Sequence, residues 1–323
     1  MRGVDPKELV GAVLDSRYRV EAILGSGGMG SVFRARHVRL PRSFAIKLLH
    51  PRLLSDPKVL KRFDREARLA GKLSHPNVVG VLDVGEIDGV SYLVMDLAIG
   101  PQLAALLPSA PFEPARAMRI LRQLCDGLAH AHEQGLIHRD LKPENVIVET
   151  QGDDEIARIV DFGIAILRDG LGSDDRVTTG GIALGTPHYM APELATGGAF
   201  DHRVDLFALG VIAYELLCGR MPFAGSGVEV VHANIREDAP PMRVRAPTVT
   251  VDPDLEAFAR QLMARNPAAR FATARAARAA LDQIEVPANA SPPPRLTPRE
   301  LIALGSAETV AVTTLTLTPA PKP

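Results

Sequence analysis

A carboxylate, an ammonium and an amide crowd together at Asp140, Lys142 and Asn145 in the run His138-Arg139-Asp140-Leu141-Lys142-Pro143-Glu144-Asn145, and a further carboxylate follows in Asp161-Phe162-Gly163. Carboxylate and amide oxygens are hard donors suited to Mg2+, and a nearby lysine can neutralise an anionic oxygen. Such a set fits phosphoryl transfer, which asks a protein for positioning and charge neutralisation more than for covalent chemistry. Any one of these residues alone reads equally well as a turn former or helix cap. Their joint occurrence in this order does not.

A second chemical signal lies upstream. Gly25-Ser26-Gly27-Gly28-Met29-Gly30 is a G-x-G-x-x-G run followed by Val32. A dinucleotide fold needs these glycines to open a helix, with an acid about 20 positions later. Here the β-like SVFRARHV follows and no acid stands near position 50. A Walker loop fails because no Gly-Lys-Ser/Thr follows. What remains is a hairpin whose backbone N–H groups can approach phosphate oxygens. Lys47 follows in FAIKLL, where a lysine on a strand is ordinarily a surface residue. Glu66 nevertheless falls in the apolar arc of Phe63, Ala67, Ala70 and Leu73, where an unpaired carboxylate is costly. The spacing predicts a Lys47–Glu66 pair that aims the ammonium at phosphates.

These groups need elements to hold them. Extended segments at YRVEAIL, SVFRARHV and FAIKLL, and again at Val78 to Val84 and Val90 to Leu97, predict five antiparallel strands, with a helix from Pro57 to Leu73. Beyond Gly100 the pattern turns helical, with apolar residues recurring through Pro114 to Gln134 and an all-round apolar helix from Val204 to Leu217. The organisation expected is an N-terminal extension (1–17), a small lobe (18–98), a large, mainly helical lobe (99–284) and a Pro/Thr-rich disordered tail (285–323). Hydrophobic residues make up 46% and charged residues 23%, with a net charge of -1, so nothing pulls the chain towards nucleic acid or anionic lipid. No run reaches the ~18 apolar residues of a membrane span, and the start lacks a secretory signal, so a cytoplasmic setting is expected. Cys125 and Cys218 sit in apolar helical patterns and read as core filler.

The catalytic run, Asp161-Phe162-Gly163, and Gly185-Thr186-Pro187 before Tyr189-Met190-Ala191-Pro192-Glu193 resemble the eukaryotic-type (Hanks-type) protein kinase family, in its bacterial serine/threonine branch, over residues 18–284. The resemblance implies an α+β bilobal fold, ATP and Mg2+ as cofactors with Mn2+ as a substitute, and protein Ser/Thr hydroxyls as acceptors. It makes Asp140 the base, Lys142 the partner of the γ-phosphate, and Asn145 and Asp161 the metal ligands. It also places adenine between Leu24, Val32, Ala45 and Ile147, with Met95 as gatekeeper and Asp96 and Ala98 in the connecting strand. Apolar residues there are equally what core packing would produce.

By the same resemblance Thr178 and Thr179 are regulatory phosphorylation sites read by Arg139, phosphorylated in trans within a transient homodimer, although they read equally as solvated threonines. Thr186 would touch Asp140, Glu193 would pair with Arg270, and Asp205 would anchor the catalytic loop. A catalytically weak pseudokinase scaffold would lack one of Lys47, Asp140, Asn145 or Asp161, and all four are present. A small-molecule kinase would lack the GTPHYMAPE segment. The tail threonines are read either as phosphorylation sites or as a bare linker.

Overall fold

The computed structural model describes residues 6–27, 30–50, 57–87, 89–162 and 187–285. Gly28, Met29, Thr178, Thr179, Thr186 and the expected tail from 286 onward lie outside these residues.

The small lobe is one antiparallel sheet: β1 (Val13–Leu14), β2 (Tyr18–Gly27), β3 (Gly30–His37), β4 (Ser43–Leu49), β5 (Val81–Ile87) and β6 (Val90–Asp96), in the order β1-β2-β3-β4-β6-β5. Five strands were expected and six are present. The extra one comes from the expected N-terminal extension, where Val13 and Leu14 pair with Arg19 and Tyr18 and Leu14 is 2% exposed. Two residues are too few to show alternation, so no sequence period could have marked this strand. Asp15 and Ser16 turn the chain back with φ of 45° and 57°.

Side chains of a strand alternate between faces, and β4 is buried on both. Phe44, Ile46 and Leu48 join a core with Leu14, Tyr18, Phe33 and Tyr92 on one side of the sheet. Ala45 and Leu49 join Val32, Leu93 and Met95 on the other, where helix α1 (Pro57–Ala70) brings Phe63 and Ala67. Lys47 shares the parity of Ala45 and Leu49. It therefore points into the interior and is buried, against the ordinary surface fate of a lysine.

The large lobe holds α2 (Leu103–Leu106), α3 (Pro114–Glu133), the hairpin β7 (Val146–Gln151) and β8 (Asp154–Ile159), then α4 (Pro192–Ala195), α5 (Arg203–Cys218), α6 (Gly227–Arg236), α7 (Met242–Arg245), α8 (Pro253–Leu262) and α9 (Ala274–Asp282). The β7–β8 hairpin adds a small strand component to the mainly helical lobe. Glu113 caps α3 by accepting the Ala115 and Arg116 N–H groups, with Pro114 fixing the first turn. Apolar on every face, α5 runs through the middle of the lobe and stops at Gly219, which takes φ 69°. Cys125 and Cys218 are both buried, and burial pushes their thiols up to about 12 and about 11.

The lobes join where Val79 N–H donates to Ile159 C=O and Ile159 N–H donates to Asn77 C=O. The Asn77 amide adds a bond to Ala157 C=O and another to the Gln123 side chain. The catalytic loop and the Asp161 turn emerge beside this seam. No helix among the described residues is long and apolar enough to cross a membrane.

Candidate active site

The catalytic loop is built from its backbone outward. Asp205, at the start of α5 and fully buried, accepts the N–H groups of both His138 and Arg139 at 2.8 Å and a bond from His132 Nε2 at 2.8 Å. Burial alone would raise this carboxyl, but the His132 hydrogen bond and the charges and N–H groups around it hold it below the ordinary aspartate value. These bonds secure Arg139 in a left-handed conformation at φ 66°, a geometry that costs about 1–3 kcal/mol for a non-glycine residue. His138 accepts the Asp140 N–H at Nδ1 and so donates from Nε2 to Val160 C=O, 2.8 Å away. Its ring meets Phe162 edge-on at 4.8 Å.

On this frame Lys142 Nζ lies 3.2 Å from Asp140 Oδ2. The Asn145 amide donates to Asp140 C=O at 2.7 Å, and Asn145 C=O accepts the Val160 N–H at 3.0 Å. Asn145 is thereby tied to the residue that precedes Asp161. Asp161, with φ 65°, turns its carboxylate to Lys47, and Oδ2 meets Nζ at 2.8 Å.

That contact corrects the expected Lys47–Glu66 pair. Glu66 is 8% exposed, and among the described residues its Oε2 accepts no hydrogen bond. Burial pushes its carboxyl up, against the pull of Arg139 and Arg65. The loop acid, not the helix acid, holds the ammonium. Sequence reasoning found all three residues but paired the lysine with the helix acid, because nothing local shows where the loop acid turns.

Above these groups, Val32, Ala45, Met95, Ala98 and Ile147 form one apolar cluster with Leu24 at its margin, joined by Val160 and Val79, which the sequence reading had not singled out. Ala45 pairs with Met95 across β4 and β6, and Val32 pairs with Lys47 across β3 and β4, so the cluster lies directly against the lysine. Gly25, Ser26 and Gly27 run along β2 and turn back at Gly30, whose φ is 143°. A Cβ on Gly30 would sit 1.9 Å from the Leu48 carbonyl oxygen, which explains glycine there. Asp96 donates its N–H to Gly80 C=O and sends its carboxylate to Arg42 at 2.7 Å. Among the described residues Ala98 makes no hydrogen bond through N–H or C=O, although it is 1% exposed. An unbonded peptide edge within this apolar cluster suits a flat heterocycle with both donor and acceptor positions, which makes the cluster the candidate base slot. The slot, the glycine turn, the lysine and the Asn145–Asp161 pair thus fit a magnesium nucleotide.

Glu193 and Arg270 form the expected ion pair, two nearly parallel bonds of 2.6 and 2.9 Å. The segment after Thr186 is clamped twice. Tyr189 donates to Glu215 Oε2 on α5 at 2.7 Å, and Asn234 on α6 donates to the carbonyls of His188 and Met190 at 3.4 and 3.2 Å. Asn234 had not been singled out, and no motif marks it.

A two-lobed fold with this set at its seam defines a protein kinase. The chain belongs to the protein kinase domain family, whose model matches residues 18–281. It is 40% identical over 289 residues to the serine/threonine-protein kinase pkn3 of Myxococcus xanthus, covering 88% of this chain and 53% of that protein. To the serine/threonine-protein kinase PrkC of Bacillus subtilis it is 34% identical over 268 residues, covering 82% and 40%. The crystal structure of the Mycobacterium tuberculosis PknI kinase domain aligns with a TM-score of 0.66 at 28% identity, covering 84% of this chain and 98% of that one. The chain thus spans about half, or less, of the length of these curated relatives.

Proposed function

We propose that this domain transfers the γ-phosphoryl group of ATP to Ser or Thr hydroxyls of protein substrates. The observation that carries the reading is the convergence of Asp140, Lys142, Asn145, Asp161 and Lys47 at the seam between the lobes, beneath the apolar slot. Asp140 orients the acceptor hydroxyl and takes its proton, while Lys142, 3.2 Å away, stands ready to neutralise the transferring group. Asn145 and Asp161 would hold the metal through an amide and a carboxylate oxygen, and Mg2+ bound there would supply positive charge to the phosphate oxygens. Lys47 binds phosphate from below the glycine turn, with the Ala98 peptide edge and the Asp96 carbonyl for adenine.

In this reading the Lys47–Asp161 contact is a resting arrangement. Were Asp161 to hold a metal, its carboxylate would no longer be reserved for the lysine, and Lys47 would be free to pair with Glu66, whose Oε2 accepts no hydrogen bond among the described residues. Phosphorylation of Thr178 and Thr179 in trans, a contact from Thr186 to the acceptor, and a cytoplasmic setting belong to the same proposal.

The test is phosphopeptide mapping after phosphatase treatment and incubation with Mg-ATP, comparing wild type with Asp140→Asn. Phosphothreonine in the wild type only is the expected result, with the Asn variant slowed by about a thousandfold, the scale of a lost general base. ATP binding without phosphate gain in either protein would favour the pseudokinase scaffold.

A further inference from the structure

Ile99, just beyond the Ala98 edge of the slot, donates its N–H to Glu149 Oε1 on β7 at 2.8 Å. Glu149 stands two residues after Ile147 and so shares the strand face that Ile147 turns to the slot. The connecting segment is drawn close to β7 along its length. Val148 N–H donates to Pro101 C=O at 2.9 Å, and Gly100 passes so near that a Cβ would lie 2.2 Å from the Val148 oxygen. Behind Glu149, Arg158 Nη1 stands 3.7 Å from Oε2, while its Nη2 donates to Val78 C=O at 3.3 Å.

The Ala98 carbonyl and the Ile99 N–H belong to one trans, planar peptide group and point in opposite directions. Holding the N–H on Glu149 therefore turns the Ala98 carbonyl away from the Glu149 carboxylate. If this peptide group flipped, the carbonyl would face the Glu149 carboxylate and the N–H would take the direction that the carbonyl now holds. We infer that Glu149 is a positioning residue for the nucleotide base, fixing which hydrogen-bonding face the Ala98–Ile99 peptide presents. The inference rests on the proposed reading of the slot as the nucleotide site.

The experiment measures ADP affinity by calorimetry, and KM for ATP against kcat, for wild type, Glu149→Ala and Glu149→Gln. Glu149→Ala is expected to weaken ADP by about three- to tenfold, the scale of one net hydrogen bond felt indirectly through the peptide it positions, and to raise KM for ATP more than it lowers kcat. Glu149→Gln keeps an accepting oxygen and is expected to recover most of the loss. An unchanged ADP affinity in Glu149→Ala overturns the inference, as does a glutamine variant as weak as the alanine one, which would assign the effect to the Arg158 charge pairing. ADP binding needs no phosphoryl transfer. A wild type that binds ADP yet transfers nothing would therefore sink the kinase reading and leave this inference to be judged on the ADP affinities alone.

Discussion

Lys47 gives its ammonium to Asp161 at 2.8 Å, while Glu66, on the helix behind, stays buried with Oε2 accepting no hydrogen bond among the described residues. The ammonium thus has the loop acid as its partner, and the helix acid is left in an enclosed space, where electrostatic differences count for more than in water. On the proposed reading, a metal at Asp161 would free the lysine for Glu66 and so set the two acids in competition.

Glu66→Gln tests that competition from the acid left out. Burial holds the Glu66 carboxyl above its ordinary value, so the folded state binds a proton that the unfolded chain has already lost. The residue's contribution to stability is therefore full below the ordinary glutamate value and declines as pH rises through the raised one. Glutamine removes that decline. Nucleotide-free Glu66→Gln should melt at or above the wild-type temperature at pH 7 while its kcat falls by about a hundredfold, the cost of misplacing Lys47. Melting curves across pH, with a transfer assay, check both. A variant that melts lower at pH 7 would contradict the charge argument.

Asp205→Asn addresses the opposite shift. This carboxyl is held below its ordinary value, so its stabilisation is present above the ordinary aspartate value and is lost as pH falls through the lowered one. An asparagine presents an amide N–H₂ to at least one of the groups that now donate to the carboxylate, His138 N–H, Arg139 N–H or His132. The expected cost is about 3 kcal/mol, the range for breaking a buried charged pair, read from the urea midpoint with an unchanged slope. The same variant should unfold with a weaker acid dependence than wild type.

Asn234→Ala should act on the protein acceptor rather than on ATP. Its amide, on a side chain 1% exposed, holds the His188 and Met190 carbonyls in the segment that lies beside Glu144 of the catalytic loop. Steady-state kinetics on the Asp140→Asn chain as acceptor is expected to show KM for that acceptor raised by about threefold to tenfold, the worth of one or two neutral hydrogen bonds, with KM for ATP unmoved. Equal rises in both constants would mean a general loosening of the lobe.

Much of this was legible in the sequence because the determining signals are local. The run from His138 to Asn145 carries its chemistry in consecutive residues, and the apolar periods of Pro114–Glu133 and Arg203–Cys218 are set by burial along single helices. What stayed hidden depends on choices among distant partners. Val13–Leu14 is too short to have a period. The preference of Lys47 for Asp161 over Glu66 turns on how a loop 114 residues away is turned. His132 beneath Asp205, Glu149 beneath Ile99 and Asn234 beneath Met190 are ordinary polar residues in helical or strand patterns. Only the packed structure says which backbone group each one meets.

The two thiols carry a consequence of another kind. A cysteine reacts with electrophiles and peroxides as the thiolate, yet Cys125 and Cys218 are enclosed by apolar side chains and held protonated far above neutral pH. Neither lies on the nucleotide slot, so a covalent inhibitor directed at sulfur finds no handle there. An oxidative burst that silences enzymes with an exposed reactive thiol would find neither of these sulfurs in its reactive form.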